Sequence, residues 1–111
     1  MATVFNLFID QGSTFKANVT VKDVTGNVRD ISGHSARSQF RRAIKSANSH
    51  SFTATVPIGT DGNVFLTMNS NTTTNVTAAR YLYDLEIVKD SNGEVERVSE
   101  GIVVVSPEIT R

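Results

Sequence analysis

Apolar and polar residues alternate along most of this chain with the period of a β-strand. Between Thr14 and Lys22, Phe15, Ala17, Val19 and Val21 fall on one side and Lys16, Asn18, Thr20 and Lys22 on the other. That predicts a strand with one dry and one wet face. Ser51 to Val56 alternates in the same way and stops at Pro57, and Val64-Phe65-Leu66-Thr67-Met68 follows the turn Asp61-Gly62-Asn63. Val4 to Ile9 is nearly all apolar, which predicts a strand covered on both sides. Asp10-Gln11-Gly12-Ser13 and Asp23-Val24-Thr25-Gly26-Asn27 carry turn chemistry, and Val28 to Ile31 reads as a short extended return.

The last third reads strand, tight turn, strand. Tyr81 to Val88 runs into Asp90-Ser91-Asn92-Gly93, and the chain returns through Glu94 to Val98 and on to Val105. Asn92-Gly93 suits a turn in which Gly93 supplies a left-handed residue. Gly101 marks a bulge or a close backbone approach. After it, Ile102-Val103-Val104-Val105 is apolar on both faces, where a solvated strand would alternate. The expected cover is either the protein's own loops, the simpler source, or a neighbouring protein.

Two segments carry mixed signals. From Ser35 to Ala47, the residues Ala36, Phe40, Ala43, Ile44 and Ala47 form a helical stripe, while Ala36, Ser38 and Phe40 share one face of a strand. The β-rich surroundings favour a strand for the first half and a loop after it. Asn69 to Thr77 is too rich in Asn and Thr for a long helix and suits one helical turn or a loop. The whole predicts an all-β protein: a single antiparallel β-sandwich domain over residues 1–111, with seven to eight short strands.

Composition narrows the chemistry. A chain of 111 residues without cysteine has no disulfide framework, thiolate nucleophile or thiolate zinc site. No signal peptide is evident after Met1, so the sequons at Asn18, Asn71 and Asn75 carry no expectation of glycosylation, and no stretch reaches the ~20 apolar residues of a membrane span. The formal charge is zero, which argues against a nucleic-acid partner. Its distribution is uneven. Ile31 to Thr60 holds Arg37, Arg41, Arg42 and Lys45 and no acidic residue, whereas Asp84 to Glu108 is predominantly acidic. Such segregation suits strands pairing within one fold, or complementary surfaces between neighbouring copies.

No catalytic, cofactor or metal site is expected. His34 and His50 lie in Ser-rich surroundings with no carboxylate between them. Asp90-x-Asn92 starts like a calcium loop, but its glycine comes too early and Gly101 stands where the closing Glu should be. No Gly-x-Ser-x-Gly elbow or phosphate-binding loop occurs. Carboxylates on an alternating strand, such as Glu94, Glu96 and Glu100, are ordinarily solvated. A sugar site would want exposed aromatic platforms, but Trp is absent and Tyr81 and Tyr83 fall on a face that reads as buried.

Three local patterns together resemble a known group. They are Phe8-Ile9-Asp10-Gln11-Gly12-Ser13-Thr14-Phe15, Ile31-Ser32-Gly33-His34-Ser35-Ala36-Arg37, and the closing hairpin with Glu100-Gly101-Ile102 to Ser106-Pro107-Glu108. The layout is similar to small virion proteins of tailed bacteriophages, including the immunoglobulin-like N-terminal module of phage baseplate upper proteins. In those proteins a longer chain follows the module, whereas this sequence stops at Arg111. The resemblance implies an immunoglobulin-like sandwich, made in the host cytoplasm and held in many copies on a virion. Its role would be structural and non-enzymatic, with other virion proteins or copies of itself as partners. It needs no cofactor, membrane or small-molecule ligand, and it supplies no functional residues. The charge pattern nominates Arg37, Arg41 and Arg42 against Glu94, Glu96 and Glu100 as interface residues, and the closing strand adds Ile102 and Val104. A carbohydrate- or host-surface-binding module is the alternative.

Overall fold

Alternation becomes strand wherever a turn lets the chain double back. The computed structural model describes residues 3–43, 45 and 48–109. Among them are eight strands: β1 (Thr3–Val4), β2 (Leu7–Asp10), β3 (Phe15–Thr20), β4 (His34–Arg41), β5 (His50–Thr55), β6 (Asn63–Met68), β7 (Arg80–Lys89) and β8 (Val95–Ser106). A 3₁₀ turn (Gly59–Asp61) and a short helix α1 (Ser70–Thr74) complete the set. The segment with mixed signals is strand from His34 to Arg41, because Ala36, Ser38 and Phe40 all turn inward. Ile44 and Ala47 of the rival helical stripe lie outside the described residues. The polar stretch after β6 does hold one helical turn. Asn69 caps it by accepting from the Thr72 amide at 2.9 Å, and the buried Thr73 hydroxyl donates to the Ser13 carbonyl at 2.8 Å.

The strands follow the order β1-β8-β7-β4-β5-β6-β3, with β2 also on β8. β5 is the corner. Its first half pairs with β4, as Phe40↔His50 and Ser38↔Phe52, and its second half with β6, as Thr53↔Thr67 and Thr55↔Phe65. The structure is mostly β, as expected, and one continuous eight-stranded sheet curls over itself into a half-barrel. The purely antiparallel expectation is corrected. β1 and β2 run parallel to β8, as Thr3↔Ser99 and Leu7↔Val103. Hairpin neighbours must be antiparallel, but strands from opposite ends of the chain share no turn that imposes it.

The inward residues make one core. Phe40 stacks with Phe52 at 5.0 Å between centroids and meets Tyr81 edge-on at 5.1 Å, while Phe15 sits 5.3 Å from Phe52. Ile9, Ile31, Leu66, Leu85 and Ile87 fill the rest. The Tyr81 hydroxyl donates back to the Thr77 carbonyl at 2.6 Å, which pins the entry into β7.

Val4 to Ile9 is not the doubly covered strand its composition suggested. It breaks at Phe5-Asn6, and Val4 and Phe8 stay 72% and 70% exposed. The break sits beside Gly101. The Phe5 amide donates to the Glu100 carbonyl at 2.9 Å, and the Asn6 side chain accepts from the Ile102 amide at 3.1 Å. The Phe5 carbonyl accepts from the buried Tyr83 hydroxyl, which also lies 3.2 Å from Ser99 Oγ. A Cβ on Gly101 would stand 2.5 Å from that carbonyl oxygen, so the glycine is required by close approach. Gly101→Ala should therefore cost about 1–3 kcal/mol in urea unfolding. It should also speed hydrogen exchange in β2 while β6 stays protected, and an unchanged midpoint would contradict this reading.

Candidate interface on the outer face

One exposed sheet surface is the outer face of β4, β7 and β8 with β2 beside them. Cross-strand pairing arranges its side chains in rows. Arg37, Glu86 and Arg97 form the first, Gln39, Asp84 and Glu100 the second, and Arg41, Leu82 and Ile102 the third. Arg80, Val104 and Phe8 form the fourth. The face thus grades from charged to apolar along the strands. A shallow depression of about 480 Å³ lies over the middle rows, bordered by Arg41, Leu82, Asp84, Arg97 and Ile102.

The charged rows are largely satisfied internally. Arg37 Nε lies 2.8 Å from Glu86 Oε1, and Arg97 reaches Asp84 at 3.4 Å. Partial burial pushes the Asp84 carboxyl above its ordinary range, and the neighbouring Glu86 adds to this while Arg97 opposes it. Beneath the row, Ser38 Oγ donates to the Asp84 carbonyl at 2.6 Å.

In the other two rows the apolar side chains are covered to different degrees. Leu82 is 41% exposed and Phe8 is 70% exposed, with Ile102 and Val104 half-buried between them. The described loops do not cover this face.

The nominated residues do not form one site. A register shift opposite Leu85 and Glu86 places an extra residue, Val98, in β8. Glu96 therefore pairs with Ile87 on the inner side, while Glu100 pairs with Asp84 on the outer side. Glu96 is held by Arg29 through two bonds of 2.5 and 2.9 Å, which closes that end of the half-barrel. Arg37 is engaged by Glu86. Arg41 and Arg42 lie at the opposite end of the strands from Glu94, with the Arg42 guanidinium 5.7 Å from the Tyr81 ring centre. Only Glu100, Ile102, Val104, Arg37 and Arg41 share the outer face.

Sequence reasoning missed Phe8, Leu82, Asp84, Glu86 and Arg97. Alternation carried a signal for Leu82 and Phe8, since each stands between two inward residues: Tyr81 and Tyr83, and Leu7 and Ile9. His50 packs against Phe40 and Tyr81 at 5.0 and 5.8 Å, and His34 Nδ1 contacts the carbonyls of Ile31 and Ser32. Both tyrosine rings are buried. No cluster of three metal-ligating side chains occurs among the described residues.

No family model matches the chain, and no curated protein matches it. Among solved structures, the NK cell receptor NKp44, a triggering partner in natural cytotoxicity, is similar at 12% identity with a TM-score of 0.46. That match covers 96% of this chain and 99% of the receptor chain. A family 123 glycoside hydrolase from Clostridium perfringens is similar at 9% identity with a TM-score of 0.43, where this chain covers 24% of the enzyme.

Arg29 holds the Glu96 carboxyl below its ordinary pKa, mainly through the side-chain bonds. The pair is partly solvent-exposed, so screening keeps its value near that of surface pairs. Glu96→Gln should cost up to about 1 kcal/mol near neutral pH. That difference should be fully present above the unfolded-state pKa of about 4.3 and vanish as pH falls through the lower folded value. Urea unfolding as a function of pH measures it, and a pH-independent difference would refute the assignment.

Proposed function

We propose that this chain is a non-enzymatic structural module that docks onto neighbouring protein through the outer face of β2, β8, β7 and β4. The observation that carries the reading is the uncovered apolar part of that face, running from Phe8 through Val104 and Ile102 to Leu82. Exposed apolar surface bordered by polar groups is a common sign of a protein-binding face. Arg41, Arg97 and Glu100 would form the rim and set orientation more than affinity.

The setting we propose is the virion of a tailed bacteriophage, where the module sits in many copies on a tail, baseplate, neck or capsid. The sequence resemblance supports this setting. An immunoglobulin-like sandwich, the finer fold that the resemblance implies, is supported by two features. The N-terminal strands lie parallel against the last strand, and the hydroxyl of a tyrosine near the start of β7 bonds back to the backbone just upstream.

Phe8→Ser combined with Leu82→Ser should leave the fold intact, since both side chains are exposed, and should lower incorporation into particles at least tenfold. Quantitative immunoblotting of purified particles measures this. Normal incorporation would sink the docking reading. Complete absence of the wild-type protein from particles, together with binding on a glycan array, would favour the host-surface module instead.

A further inference from the structure

The ends of the molecule carry opposite charge. β8 has 12 residues, about 40 Å at roughly 3.3 Å each, so the strands run along the 43 Å long axis. At the end where β4 leads towards β5 stand Arg41, Arg42, Lys45 and Arg80, against the carboxylates of Asp10 and Glu108. The other end holds the β7–β8 turn, the Asp23–Asn27 turn and the 3₁₀ turn. There, beyond the mutual Arg29–Glu96 pair, stand Asp23, Asp30, Asp61, Asp90 and Glu94 against Lys22 and Lys89. Hydrogen bonds tie these turns into one surface. Arg29 reaches β8, and the Asp90 amide donates to the Gly33 carbonyl at 2.9 Å. A chain of zero net charge is thereby an electrical dipole along its strands.

We infer that copies of this protein associate head to tail, the basic end of one against the acidic end of the next. The partner is a second copy because the two surfaces complement each other within one chain and cannot meet in one molecule. Such a contact is heterologous, so it propagates into a ring or a row. Exposed ion pairs are individually weak. The contact therefore draws on several pairs at once and shows most at low salt, where screening is least. It uses the ends and not the apolar outer face, so it does not rest on the docking proposed above.

Sedimentation of purified protein tests it. Self-association should strengthen at least tenfold between about 1 M and about 0.01 M salt, as the screening length grows from about 3 to about 30 Å. Two folded variants should each lose it: Arg42→Glu with Lys45→Glu, and Asp61→Lys with Glu94→Lys. All four side chains are exposed, so their circular dichroism and thermal midpoints should match wild type. An equimolar mixture of the two variants should restore association, because each then offers what the other lacks. Phe8→Ser should leave the salt-dependent association unchanged. Wild type that stays monomeric at low salt, a mixture that stays monomeric, or association abolished by Phe8→Ser would each overturn the inference.

Discussion

The structure hangs on β8 being bonded along both of its edges. On one side it pairs with β7 through a tight hairpin, and on the other with β1 and β2 in parallel. The parallel side works only because the backbone at Phe5 can lie against Gly101 and because Tyr83 and Asn6 supply hydrogen bonds that the broken ladder lacks. Fixing β1 and β2 there sets the parity of the last strand. Val103 and Val105 go into the core, and Ile102 and Val104 go to the outer face beside Phe8.

The extra residue at Val98 does comparable work further back in β8. A one-residue shift moves every later side chain to the opposite face of the sheet. Carboxylates an even number apart, Glu96 and Glu100, therefore serve different purposes. The first is clamped by Arg29 at the solvent-exposed end of the half-barrel, and the second joins Asp84 on the exposed rows. The outer face offers apolar area along its length, and the ends offer charge. These are separate surfaces that can be occupied at the same time.

Strand positions were legible because burial on one face writes period-two alternation into the sequence. Phe15, Val19, Phe40, Tyr81 and Tyr83 all point where that alternation places them. The turn at Asn92-Gly93 was legible because it needs a left-handed glycine, and Gly93 has φ of 74°. Strand partnership was not legible. Nothing local marks β5 as a corner or β2 as parallel to β8, since those are choices between surfaces distant in sequence. The run Val4 to Ile9 misled for the same reason. Its apolar character reads as burial on both sides, yet Phe8 faces outward. The charged candidates were identified by segment and sorted by geometry, and the bulge that sorts Glu96 from Glu100 has no strong signature in Arg97-Val98-Ser99.

The position of β8 also fixes when the fold can exist. It lies between β7 and the N-terminal strands, and the bond from Ile102 to Asn6 spans 96 positions of sequence. Until β8 is available, β1 and β2 have no strand to join, and the inner residues of β7 lack a neighbour along one edge. Such closure must await late-synthesised residues and pays a large loop entropy, which makes folding slow relative to helical domains of this size. Before β8 is made, β3 to β7 can pair among themselves, but the free edge of β7 and the unpartnered β1 and β2 stay open to other chains. The step that seats β8 is thus also the step that covers the open edge of β7.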